Sequence, residues 1–281
     1  MNIYQLITEI EKVDPEVYER LDSRRAIFKH FAGFGKKLAT AAVPLAFGAM
    51  LNKAYGQTGT RSIAQVLEFA YLLENLEAEF YKQAVVAAQT PVINAPAAAV
   101  GALTTIRDHE IAHVNFLKGA IGATAKTYTP ANFDFTAGGS FPTVFTSYGT
   151  MLAVAQAFED TGVRAYKGQA GFLVSNNDVL QAALQIHSVE ARHAAHIRRM
   201  RRDTPGIAAA VKPWITMKDP GGVAAIQAVY NGEEITEQAT VQLGNKTYGG
   251  ITISANAASE AFDEPLTAEQ VTAIVTPFIR A

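Results

Sequence analysis

Apolar positions at Ile63, Val66, Leu67, Ala70, Leu73 and Leu76 recur at helical spacing from Ser62 to about Ala88, with no Gly or Pro between them. The pattern predicts a first long helix. Pro91 and Pro96 mark a turn, and a second periodic stretch runs from about Ala97 to Ile121, where Gly122 offers a C-cap. Residues 122 to 142 collect Thr, Pro, Asn, Gly-Gly and Ser without helical period. That is too long for a turn between antiparallel neighbours, which takes about 2 to 8 residues, so it predicts a crossover. A third helix is predicted from about Thr143 to Gly171. Ser175-Asn176-Asn177-Asp178 supplies N-caps for a fourth, ending near Arg202 before Pro205. One long crossover and two short turns make an all-α four-helix bundle.

The flanks differ in character. Residues 2 to 22 are charged and amphipathic, with Ile3, Leu6, Ile7 and Ile10 on one helical face. Ser23-Arg24-Arg25 then leads to the apolar run Leu38 to Leu51 and to Ala54-Tyr55-Gly56, the order of a twin-arginine export signal with a long first section. The competing reading is a further apolar helix over residues 25 to 50. After residue 203 come Gly221-Gly222, Asn231-Gly232, Gly249-Gly250 and the β-prone Ile251-Thr252-Ile253. This predicts a mostly irregular tail wrapping the bundle, with a closing helix from about Thr267 to Ile279. The division expected is 1–57 leader, 58–203 bundle and 204–281 extension.

Composition narrows the function. At 281 residues, 49% of them hydrophobic, the chain can bury one large core. A net charge of −2 and a pI near 6.3 give no electrostatic reason to expect nucleic acid. The Leu38 to Leu51 run is shorter than the roughly 20 residues of a membrane span, so no stable span is expected. With no cysteine, any metal must be held by oxygen and nitrogen.

Such ligands are present in order. Glu110-Ile-Ala-His113 and Glu190-Ala-Arg-His193 repeat 80 residues apart, each preceded by a Glu-x6-Tyr element, Glu74 to Tyr81 and Glu159 to Tyr166. Helix positions i and i+3 share a face, so each Glu can point with its His at a common centre. Glu110 and Glu190 would bridge two metals while Glu74 and Glu159 cap one each. Four carboxylates balance two divalent cations, and hard oxygen with imidazole suits iron or manganese, with zinc able to enter in vitro. The matched separations also predict that helices one-two and three-four repeat with pseudo-twofold symmetry.

A single Glu-x-x-His arises readily by chance, and Glu11 and Tyr18 also satisfy the Glu-x6-Tyr spacing. The specificity lies in four elements in the right order on separate helices. Through Leu73-Glu74-Asn75-Leu76-Glu77-Ala78-Glu79-Phe80-Tyr81, Asp108-His109-Glu110-Ile111-Ala112-His113, Phe158-Glu159 and Glu190-Ala191-Arg192-His193, the chain resembles the ferritin-like superfamily. Within it, the similarity is to proteins related to plant desiccation-associated proteins, and it extends to Tyr230-Asn231-Gly232-Glu233-Glu234 and Ala261-Phe262-Asp263-Glu264-Pro265-Leu266. The resemblance implies a di-metal site with Tyr81 and Tyr166 beside it as catalytic residues. It leaves the reaction open, since the superfamily includes ferroxidases, bacterioferritins, manganese catalases and oxygenases. The leader, crossover and tail depart from cage-forming ferritins and put a hollow storage shell in doubt.

Other charged residues are read more plainly. Glu77 competes with Glu74 as the ligand from helix one, and Glu74 is preferred for its spacing to Tyr81. Glu79 and Asp160 are expected in solvent, as is the Arg198, Arg199, Arg201, Arg202 run at a helix C-terminus. Asp108 is a candidate to orient a ligand His on the other helix, and His196 reads as a partly exposed helix residue. The expectation is redox chemistry on dioxygen or peroxide, ferroxidase-like or catalase-like, in stress protection. The alternative is a non-enzymatic exported structural or stress protein in which metal only stabilises the bundle. A homo-oligomer or a ferritin-like partner subunit is expected, exported to the periplasm or cell surface, or cytoplasmic if the leader is no signal.

Overall fold

The computed structural model describes residues 60–206, 211–238 and 240–280. The appended helix and the twin-arginine-like leader read in residues 1–57 lie outside the described residues. Four long helices form the core: α1 Ile63–Ala88, α2 Ala97–Ile121, α3 Tyr148–Gln169 and α4 Asn177–Arg202. α1 packs most extensively on α2 and α3 on α4, two hairpins face to face. Local chemistry sets their ends. Ser62 and Gln65 form a reciprocal capping box, Asn176 accepts from the Val179 amide, and Gly122 closes α2 at φ 79°. α3 starts five residues later than the sequence pattern suggests, because Ser147 supplies the N-cap while residues 143–146 complete turns of the crossover.

The crossover carries two short 3-10 turns, Gly122–Thr124 and Pro130–Asn132, and inserts Phe133, Phe135 and Phe141 into the main core. Rings from several elements meet there, with Phe158 of α3 edge-on to Phe278 at 4.8 Å and Phe80 of α1 edge-on to Phe158 at 5.2 Å. The end of the tail also ties back to the crossover. The Asp134 amide donates to the Phe278 carbonyl and the Arg280 amide to the Asn132 carbonyl, each at 2.8 Å.

The tail itself holds two small antiparallel pairs, β1 Glu237–Gln238 with β2 Val241–Gln242 and β3 Lys246–Tyr248 with β4 Ile251–Ile253. Two short helices follow, α5 Ala255–Ser259 and α6 Ala268–Val275. It is fixed to α3 by buried charge. The Arg164 guanidinium, 1% exposed, donates to the carbonyls of Glu264, Val229 and Asn231 and pairs with Glu233 at 2.6 Å. Glu233 in turn accepts from the Glu264 amide at 2.9 Å. A second group lies alongside: Arg198 grips Asp160 through two bonds of 2.6 and 3.0 Å, the Tyr230 hydroxyl donates to Asp160, and Gln156 links Tyr230 to Arg201.

This corrects two expectations. Asp160 is buried, and so are Arg198 and Arg201 of the expected solvated run, because the tail covers that face of α3 and α4. Arg199 and Arg202 remain exposed. Close approach of the tail also needs Gly168, where a Cβ would lie 1.9 Å from the Leu266 carbonyl oxygen.

Removing Arg164 strands the Glu233 carboxylate and three carbonyls. Arg164→Ala is expected to cost roughly 3–5 kcal/mol in denaturant unfolding, whereas Arg202→Ala, which loses only an exposed pair with Asp203, leaves the midpoint unchanged. Equal midpoints for the two variants would show that the tail is not fastened this way.

Candidate metal centre

Each helix of the bundle sends a carboxylate into its middle: Glu74 from α1, Glu110 from α2, Glu159 from α3 and Glu190 from α4, all fully buried. His113 and His193 arrive one turn after Glu110 and Glu190. Their ring nitrogens define two nests. His113 Nδ1 lies 3.0 Å from Glu74, 3.2 Å from Glu110 and 3.1 Å from Glu190. His193 Nδ1 lies 2.9 Å from Glu110, 3.4 Å from Glu159 and 3.4 Å from Glu190. In each nest one atom per residue falls within 4.8 Å of the others, and Glu110 and Glu190 belong to both.

The chemistry of these atoms fits cations. Glu110 Oε1, Glu159 Oε2, both Glu190 oxygens and His193 Nδ1 are buried with no hydrogen-bond partner among the described residues. Buried polar atoms are rarely left so, and here they gather at one place. They lie close enough together to share an ion, and two divalent cations would satisfy them while balancing four carboxylates.

The outer oxygens are held by tyrosines in a crossed pattern. The Tyr81 hydroxyl of α1 donates to Glu159 Oε1 of α3, and the Tyr166 hydroxyl of α3 donates to Glu74 Oε1 of α1. Each phenol therefore fixes the carboxylate of the opposite half and leaves its second oxygen for the nest. Behind His193, the Nε2 lies 2.9 Å from His109 Nδ1. Where His109 Nδ1 acts as the acceptor, His193 carries a proton on Nε2, which would leave Nδ1 for a cation once its own proton is displaced. Asp108, read as the candidate for orienting a His, instead lies exposed against Arg107 at 2.8 Å. His196 is exposed.

Sequence reasoning undervalued Glu77. It is buried beside the nests with no hydrogen bond among the described residues. Gly162, its equivalent in the second half, makes room for it: a Cβ there would sit 3.4 Å from Glu77 Oε1. The signal available was the vacant equivalent position, a glycine in mid-helix. Glu79 pairs at the surface with Lys82 at 3.1 Å.

Without cations, protons hold the centre together. Burial, then the charges of Glu190, Glu110, Glu159 and Glu74, push the Glu77 carboxyl well above its usual range. Burial and the Glu190 charge do the same to Glu110, and burial lifts Glu159 to about 7 against the lowering pull of His193. Burial opposes protonation of His113, yet the Glu110, Glu190 and Glu74 carboxylates around its Nδ1 override it and hold its pKa at about 12. The same balance raises His193. Burial would raise Glu190, but both imidazoles hold it low.

A family model described as a ferritin-like domain matches residues 62–203, which are half of the chain and all four core helices. No match was found among curated proteins or among solved structures.

The sign of the pH dependence follows. Folded Glu159 and His113 bind protons more tightly than their unfolded forms, near 4.3 and 6.5. Their contribution to stability is present at low pH and is lost as pH rises, through about 7 for Glu159 and toward about 12 for His113. Cations must displace those protons, so they bind more tightly as pH rises. The gap in melting temperature between metal-loaded and metal-free protein is expected to widen from pH 5.5 to 8.5; a constant gap in calorimetry would contradict the coupling.

Proposed function

The chain belongs to the ferritin-like domain family, and on that premise we propose that it is a two-metal redox protein acting on dioxygen or hydrogen peroxide in stress protection. The observation that carries the reading is the pair of buried nests sharing Glu110 and Glu190. Two iron or manganese ions held there would supply reversible one-electron oxidation and reduction, whereas zinc would fill the ligands without redox capacity.

The residues have distinct tasks. Glu110 and Glu190 reach both nests and would bridge; Glu74 with His113, and Glu159 with His193, would complete one nest each. Tyr81 and Tyr166 orient the terminal carboxylates, and their own ionisation is suppressed, first by burial and then by the carboxylates they face. They therefore serve as neutral donors. His109 fixes the His193 tautomer from the solvent side. The surrounding apolar side chains exclude water and strengthen every electrostatic contact inside.

Among the described residues no helix is long and apolar enough to cross a membrane. Export through Arg24-Arg25 and assembly with a second copy or a related ferritin-like subunit belong to the same proposal, supported by the sequence of the leader and by the departures from cage-forming ferritins.

Protein purified under native metal supply is expected to hold about two iron or manganese ions per chain and to consume dioxygen or peroxide. Glu110→Ala and Glu190→Ala should each lose bound metal by elemental analysis, while Glu79→Ala retains it. The same metal content in all three would sink the site, and loaded protein inert toward both oxidants would sink the redox reading. Replacing Arg24 and Arg25 with Lys is expected to leave the protein in the cytoplasm; unchanged export, followed by fractionation, would remove that part.

A further inference from the structure

The two halves of the bundle are not equally filled. Beside Tyr166 lies a pocket of about 160 Å³, walled by residues of all four core helices that include Phe69, Leu117, Ala165, Ala183 and Ile186. The pseudo-twofold relation that pairs Glu74 with Glu159 and Glu110 with Glu190 maps this space onto the surroundings of Tyr81. There it is solid core. Three alanines of the pocket, Ala165, Ala183 and Ala120, correspond to Phe80, Leu103 and Met200, and crossover rings pack on Phe80 as well. The void thus arises from small residues at three positions whose equivalents are large.

The pocket has a direction, and its polar lining is Tyr166 and Gln169 within and the exposed Asp178 at its rim. At its inner wall stands Tyr166, whose hydroxyl is on Glu74. Leu73, Leu117 and Ile186 of the lining lie within four residues of the ligand candidates Glu74, His113 and Glu190. Gln169 lines it too, 4% exposed; its Oε1 accepts from Arg61 at 3.1 Å, and its Nε2 is buried with no hydrogen-bond partner among the described residues. A buried amide donor without an acceptor is destabilising, and a ligand oxygen would remove that cost. Apolar cavities of about 150 Å³ hold a single ring such as benzene, so the space fits a compact molecule and is too small for a helix of a partner.

The geometry points to a binding site for a small uncharged organic co-substrate, a single ring or short alkyl group bearing one hydrogen-bond-accepting oxygen. Its hydrocarbon part packs against Phe69, Leu117 and Ile186, its oxygen accepts from Gln169 Nε2, and Tyr166 separates it from the carboxylates. The role as co-substrate rests on the two-metal redox reading. Binding does not, since the pocket needs no metal.

Cyclohexanone and methylcyclohexane, equal in ring size and differing in the acceptor, test this by calorimetric titration of the full chain, both metal-free and metal-loaded. The intact protein is expected to bind cyclohexanone more tightly. Ala183→Leu and Ala165→Phe, which install the residues of the filled half, should each weaken binding at least tenfold, and Ala183→Leu, at a half-buried position, covers the case in which Ala165→Phe fails to fold. Gln169→Leu should erase the preference for the ketone, a loss of about threefold to tenfold in affinity. No uptake by the intact chain, or uptake unchanged in Ala183→Leu, would overturn the site. Absence of uptake together with a change of oligomeric state in Ala183→Leu by sedimentation would assign the space to a second copy of the chain. Metal-free protein that binds cyclohexanone but cannot be loaded with metal would keep the pocket and remove the redox reading.

Discussion

Five carboxylates and two imidazoles share the middle of this bundle, and the fold is organised around making that burial tolerable. An isolated charge in such a place would cost many kcal/mol, and four adjacent carboxylates repel one another as well. Hydroxyls from Tyr81 and Tyr166 take one oxygen each of Glu159 and Glu74, and imidazoles lie against the rest. The unpaired atoms of Glu110, Glu159, Glu190 and His193 lie at the two nests. Rigidity is needed to keep them there, and the ring cluster around Phe80, Phe135, Phe158 and Phe278 supplies it on one flank.

The tail solves a related problem on the outside of α3. Arg164 and Asp160 interrupt a helix that is buried on nearly every side; Asp160 is held by Arg198 of α4 together with Tyr230, and Arg164 would be untenable without partners from residues 229 to 264. The Tyr230-Asn231-Gly232-Glu233 and Asp263-Glu264-Pro265-Leu266 segments provide them. A buried ionic network of this kind adds less to stability than to choice of arrangement. It permits one seating of the tail, with Gly168 under Leu266, and so fixes α3 relative to α4.

What could be read from the chain divides along a physical line. Helices announce themselves locally, through periodicity and caps, and Ser62, Gly122 and Asn176 mark their ends within a residue or so. Spacing on a helix also put Glu110 beside His113 and Glu190 beside His193 before any tertiary contact was considered. Burial imposed by distant segments has no such local signature. Asp160 and Arg198 read as surface charges because nothing near them in sequence shows that Tyr230 and Trp214 will cover them. His109 has no local mark that sets it apart, and only the crossing of α2 and α4 brings it to His193. Glu77 was ambiguous because it shares a face with Glu74; Gly162, on another helix, decides where it fits.

The crossed tyrosines carry one more implication. Tyr81 and Glu74 ride on α1, Tyr166 and Glu159 on α3, and each phenol holds the other helix's carboxylate. A shift of either helix therefore disturbs both ends of the centre at once, while Glu110 and Glu190 connect the two nests between them. Order imposed on one nest by a bound cation would pass to the other through these shared groups, and part of the entropic cost of organising the second would then already be met. For a centre that takes up two cations, such an arrangement would favour filling in pairs over filling one nest at a time.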